Sequence, residues 1–135
     1  MKPNELMVGD WVMYNPNVFI EDEYEPTKEC YPTRISNGAD IDLAIENCYT
    51  PIPLTGKILE RNGFVGEGYA ILKLDENSWL EYYYHEHRLR KYWVAIDEWL
   101  NHSEVKDLVF QCYCYYVHEL QHALRQCEIE KEVEL

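Results

Sequence analysis

The chain has 135 residues, 47% of them apolar and 14% aromatic, and 25 acidic against 12 basic side chains leave a formal charge of −13. That length fits one domain, expected over residues 1–135, and so apolar a composition excludes intrinsic disorder. A field of that sign repels phosphate backbones and anionic lipid, which argues against direct nucleic-acid binding and against a membrane surface.

Taken in chain order, residues 6–14 read as a strand entered through a Gly9-Asp10 turn, an opening that small β-barrels use. A polar stretch over 15–32 follows, with the acidic run Glu21-Asp22-Glu23-Tyr24-Glu25. Short strands are expected near 18–20 and 31–35, and Asn37-Gly38 is a turn signal. Pro51 and Pro53 exclude regular helix over 50–54. Thr55 is then a suitable N-cap for a short helix over 57–62. Gly63 stands where a helix ends in left-handed backbone, and Ile58, Leu59 and Phe64 supply the inner side.

Three strand-like runs come next, at 69–74, 79–84 and 92–96, with a turn over 75–78; they read as an antiparallel meander. Residues 107–114 suit either a fourth strand or an extension of the last helix. That helix, over 115–127, is amphipathic, and the alternating tail 128–135 reads as a frayed end or a short edge strand. The fold class expected is therefore α+β: an antiparallel, partly barrel-like meander, a short central helix and a C-terminal amphipathic helix packed on it.

Five cysteines, Cys30, Cys48, Cys112, Cys114 and Cys127, are an odd number, and residues 1–10 lack the apolar core of an export signal. Reduced thiols in a cytoplasm follow as the expectation. Cys112 and Cys114, two apart, fall on one face of a strand; this is not the spacing of a redox or zinc pair.

His118-Glu119-Leu120-Gln121-His122 is a literal H-E-x-x-H. In zinc proteases this spacing brings two imidazoles to one metal, and the glutamate acts as general base on its bound water. A zinc-dependent hydrolase with ligands His118 and His122 and base Glu119 is therefore one alternative; His85, His87 or His102 would have to supply the third ligand. Three features oppose it. The pattern arises easily in a chain rich in glutamate with five histidines. Arg125 and Glu128 stand where the extended motif requires glycine and a third histidine. On a helical wheel, Tyr116, Val117, Leu120, Ala123, Leu124 and Cys127 gather on one side, so His118 and His122 are expected to face water beside Gln121, Arg125 and Gln126.

His85-Glu86-His87-Arg88-Leu89-Arg90-Lys91-Tyr92-Trp93 is the locally basic stretch. Its mixture of cations and rings suits either a stacking surface for single strands or a charged hairpin, and the flanking strand pattern favours the hairpin. Phosphate loops, dinucleotide-binding glycines and nucleophile elbows are absent from the sequence.

Three blocks resemble a group of short uncharacterised proteins of gut Bacteroides genomes and their phages and mobile elements. They are the opening Met1-Lys2-Pro3-Asn4-Glu5-Leu6-Met7-Val8-Gly9-Asp10-Trp11-Val12, the middle Pro51-Ile52-Pro53-Leu54-Thr55 with Gly63-Phe64, and the end Tyr116-Val117-His118-Glu119-Leu120-Gln121-His122-Ala123-Leu124-Arg125 with Ile129-Glu130-Lys131-Glu132. In that group the positions matching Glu119 and His122 are often glutamine and asparagine, which implies that the H-E-x-x-H here is incidental. The resemblance carries no established activity. Together with the acidic charge and the aromatic content, it leads to the expectation of a non-enzymatic accessory protein of a phage or mobile element, acting by protein–protein contact; no cofactor, metal or membrane partner is expected from the residues. An acidic mimic of nucleic acid that blocks a DNA-binding protein is a further alternative.

Overall fold

A computed structural model describes residues 6–19, 26, 28–36, 48–97 and 103–135 of the chain. They group into two compact units, one formed by 1–53 with 116–122 and the other by 54–115 with 123–135.

The first unit holds an antiparallel sheet ordered β2-β1-β3, with β1 (Trp11–Tyr14) between β2 (Tyr31–Arg34) and β3 (Tyr49–Thr50). Gly9, at a φ of 93°, makes the expected turn into β1. Val12, fully buried, joins Leu6 and Ile35 in a small apolar cluster against which Tyr49 packs. The strand expected near 18–20 is instead a 3-10 turn, Pro16–Phe19. The Asn15 side chain accepts from the Asn17 backbone N–H at 3.1 Å, and this local bond outcompetes an extended backbone. Asn37-Gly38, the acidic run 21–25 and His102 lie outside the described residues.

The second unit opens with helix α1 (Gly56–Arg61). Its N-cap Thr55 accepts from the Ile58 N–H at 3.3 Å, and Gly63 follows the helix at a φ of 92°, as expected from sequence. Leu59 and Phe64 are buried. A four-stranded antiparallel meander follows: β4 (Tyr69–Lys73), β5 (Ser78–Tyr83), β6 (Arg88–Asp97) and β7 (Ser103–Tyr113), hydrogen-bonded in that order. Both sheets are open, and neither closes into a barrel.

The register places Ala70, Tyr82, Leu89 and Cys112 in one line across the meander. Ala70, Tyr82 and Leu89 are buried, as are Leu80 and Tyr92. The segment 107–114, ambiguous by pattern, is strand up to Tyr113. A bulge between Lys91 and Tyr92 of β6 leaves Val109 of β7 without an opposite residue. The bulge shifts the phase of β7. Lys106 and Leu108 (opposite Val94 and Tyr92) therefore share a face with Gln111 and Tyr113 (opposite Arg90 and Arg88).

Helix α2 (Val117–Gln126) belongs to the first unit through His122 and to the second from Ala123. The tail 128–135 has no strand pairing. It is held instead by Asn62, whose side chain donates to the Glu134 carbonyl at 2.7 Å and accepts from the Glu134 N–H at 2.8 Å.

Candidate functional site

Two polar residues of α2 do not face water, whereas Arg125 and Gln126 are exposed as expected. His118 is 6% exposed and Gln121 is 5% exposed, which corrects the wheel-based expectation. A wheel registers only hydropathy. Gln121 has backbone partners of its own, and a buried polar group is tolerated when hydrogen-bonded. Gln121 accepts from the Trp11 N–H at 2.8 Å and donates to the Gly9 carbonyl at 2.9 Å, so one side-chain amide pairs with the peptide groups on either side of Asp10. Tyr116, placed by the wheel on the core side, is exposed.

Each member of the H-E-x-x-H has a structural partner. Glu119 Oε1 accepts the Tyr116 N–H at 3.1 Å, the reach-back half of a capping box at the start of α2. His122 Nε2 lies 2.7 Å from Oδ2 of Asp10, which is fully buried and also accepts the Met7 N–H at 2.8 Å. A carboxylate only accepts, so Nε2 carries the proton of that bond. The His118 ring stacks on Tyr116, with centroids 5.9 Å apart, and meets His122 edge-on at 5.5 Å.

Zinc sharing between His118 and His122 needs a lone pair from each ring aimed at one point, and a glutamate free to take a proton. Here His122 Nε2 is directed at a carboxylate and Glu119 at the backbone. Among the described residues, no group of three or more His, Cys, Asp or Glu side chains is placed to hold a metal ion. His87, one proposed third ligand, stacks on Tyr115 at 4.5 Å in the second unit.

Among the described residues, the thiols form no nucleophilic constellation. Cys112 and Cys114 share a side as expected, with sulfurs 3.6 Å apart, and burial pushes the Cys127 thiol up. A thiol so raised is a poor nucleophile.

The basic stretch forms the β5–β6 hairpin, and the meander gives it a context that the sequence alone did not suggest. Tyr69, Tyr83, Trp79, Tyr92 and Tyr113 share the face opposite Tyr82 with Lys73, Arg88, Arg90 and Lys106. Tyr69 stacks on Tyr83 at 5.8 Å and Trp79 on Tyr92 at 5.7 Å. Arg90 lies over Tyr83 at 5.0 Å, Arg88 over Tyr113 at 5.3 Å and Lys106 over Tyr92 at 3.8 Å. Such pairs orient the cations and hold the rings flat. A period-two reading of Trp79, Glu81 and Tyr83 against Arg88, Arg90 and Tyr92 was the signal available for this face.

Glu81 sits at the centre of that face, buried. Its carboxylate accepts from Trp79 Nε1 at 3.0 Å and from the Tyr83 hydroxyl, and Lys106 Nζ lies 3.5 Å away. Burial by itself pushes the Glu81 carboxyl up, but Tyr83, Trp79 and Lys106 together hold it below the usual range. Tyr83 moves the other way, raised first by burial and then by the carboxylate that accepts its proton.

The linkage follows from these directions. A carboxyl lowered in the folded state stabilises the fold above its unfolded pKa, and that contribution disappears as pH falls through the folded value. A raised tyrosine costs stability once pH climbs past the ordinary tyrosine range. Urea midpoints measured across pH are thus expected to fall on both sides of neutrality. In Glu81→Gln the acid limb is expected to flatten, and stability at pH 7 to drop by about 1–3 kcal/mol as charge-assisted bonds are lost.

Comparison with family models, curated proteins and solved structures finds no match for this chain. No described helix is long and apolar enough to cross a membrane.

Proposed function

We propose that the chain is a non-enzymatic accessory protein of a phage or mobile element, working in the cytoplasm through protein–protein contact along β7. The observation that carries this reading is the outer edge of the meander. Strand β7 runs for 11 residues at that edge, with Leu108, Val109 and Tyr113 exposed by 46%, 53% and 55%. Long edges with exposed apolar residues invite pairing, and proteins that do not use them blunt them with charge, proline or a covering segment. The opposite edge is treated in that way: β4 has 5 residues, and Val65 bridges to Ile71 with bonds of 3.0 and 2.8 Å.

Two features weigh against the alternatives. Glu119 is occupied in capping and His122 in pairing with Asp10, which leaves the hydrolase reading without a poised base. The meander's aromatic face displays cations, the reverse of a phosphate mimic, so the charge of −13 serves solubility and repels nucleic acid.

The test is quantitative affinity capture from the native host with the parent chain and with Leu108→Lys, alongside metal analysis of chelator-free protein. The expected result is a partner retained by the parent and lost from the variant. A chain that retains no partner, but carries stoichiometric zinc and a hydrolase activity abolished by Glu119→Gln, would overturn the proposal.

A further inference from the structure

We infer that Cys112 and Cys114 form a reversible oxidation site: peroxide converts their two thiols into a disulfide that closes over Tyr113, and a small thiol such as glutathione reopens it. The chemistry stands apart from the contact reading above; only its consequence for the β7 edge rests on that reading.

Residues two apart share a face of a strand, but their side chains ordinarily run side by side. Here the two sulfurs lie 3.6 Å apart, in contact. Strand β7 ends at Tyr113, so Cys114 sits where the ladder stops, and its N–H donates to the His87 carbonyl at 2.7 Å. Two residues of extended chain span roughly 6.6 Å, just inside the range of about 4.4–6.8 Å between the Cα atoms of a disulfide. The sulfurs must still close by roughly 1.5 Å to reach bonding distance. Cys112 is partly exposed and Cys114 is fully buried. An oxidant arriving from solvent therefore meets Cys112 first, with Cys114 already against it.

One molecule of hydrogen peroxide balances the step. The Cys112 thiolate attacks a peroxide oxygen. An S–O bond forms, the O–O bond breaks, and the hydroxide released leaves as water with the proton that Cys112 gave up. The Cys114 sulfur then attacks the sulfur of the Cys112 sulfenic acid. An S–S bond forms, the S–O bond breaks, and a second hydroxide leaves as water with the Cys114 proton. The thiols lose two electrons and the peroxide gains them. Lys91 stands two residues beyond Leu89, which lies opposite Cys112, on the same face of β6. An ammonium on that side favours a thiolate.

Cys127 is a third thiol within electrostatic reach of Cys112, but burial pushes it up, and a thiol so raised resolves a sulfenic acid slowly. A ring closed over a single residue is strained, and strained disulfides are the readily reduced ones. The strain falls on the two bonds that fix Cys114: its own N–H to the His87 carbonyl, and the Tyr82 hydroxyl to its carbonyl. It also reaches Tyr113, the enclosed residue, which is one of the exposed side chains of the β7 edge.

The experiment treats the purified, reduced chain with a slight excess of hydrogen peroxide, labels the remaining thiols with N-ethylmaleimide in denaturant, and maps tryptic peptides by mass. Trypsin cuts after Lys106 and Arg125, so Cys112 and Cys114 fall in peptide 107–125 and Cys127 in peptide 126–131. The expected product is peptide 107–125 without label and two hydrogens lighter, while Cys30, Cys48 and Cys127 are labelled. Glutathione added before labelling should restore both labels. Cys127→Ala should leave the result unchanged, and in Cys112→Ser peptide 107–125 should keep its single label. Mapping of the unaltered chain decides the matter should a variant fold poorly. A bond joining peptides 107–125 and 126–131 would move the site to Cys127 and overturn the assignment. Complete labelling of all five cysteines after peroxide, or sulfinic acid at Cys112 without a disulfide, would overturn the inference outright. None of these readouts involves a partner, so the contact reading stands or falls separately.

Discussion

Asp10→Ala is expected to lower stability by about 3 kcal/mol, read from urea or guanidinium unfolding at neutral pH. The substitution removes very little apolar contact, so a purely hydrophobic estimate gives almost nothing. The cost comes from what the carboxylate leaves behind. The Met7 N–H and His122 Nε2 both end on Oδ2 of a fully buried side chain, at 2.8 and 2.7 Å. Both groups lose that partner once the oxygen is gone, and the bonds lost are ones to the charged oxygen of a fully buried carboxylate, which are worth more than neutral ones. Asp10→Asn, which keeps one carbonyl oxygen, is expected to cost less than Asp10→Ala. His122→Ala is also expected to cost less, because that ring is 30% exposed and water can replace its bond. A double-mutant cycle between positions 10 and 122 reads the coupling directly. Coupling near zero would show that the pair contributes nothing.

The second large effect is in the other unit. Tyr82→Ala is expected to cost about 3–5 kcal/mol, the range for deleting a buried aromatic ring. Tyr82 lies in the middle of the line from Ala70 to Cys112, 1% exposed, with its ring edge-on to Tyr84 at 5.5 Å. Its hydroxyl donates to the Cys114 carbonyl at 2.6 Å, so the ring also secures the end of β7. Tyr82→Phe keeps the ring and removes that bond, for about 1 kcal/mol. The two variants together separate packing from hydrogen bonding. Equal losses would mean that the hydroxyl, not the ring, carries the site.

Much of the local architecture was readable from the chain because its causes are local. Thr55, Gly63 and the turn over 75–78 act within a few residues, and the period-two pattern of the meander follows from the alternation of any strand. Strand β7 was ambiguous because Phe110, Cys112 and Tyr113 suit either state, and its pairing with β6 decided the outcome. The orientation of α2 was misread for the same kind of reason. What draws Gln121 inward is the backbone of Gly9 and Trp11, separated from it by 112 and 110 positions. No window along the chain contains both ends of that bond. The make-up of the outer edge of the meander escaped notice because a single bulged residue, Val109, sets which side chains share its face. Hydropathy does not encode such a shift of phase.

The first unit takes its residues from two separate stretches, 1–53 and 116–122, with the meander strands encoded in between. A ribosome therefore releases β1 long before it makes the glutamine that engages its peptide groups. The meander, built from neighbouring hairpins, can assemble while synthesis continues, since contacts close in sequence form early. During that interval the nascent β1 segment has exposed peptide groups at Gly9 and Trp11, which is when a chaperone has most to protect.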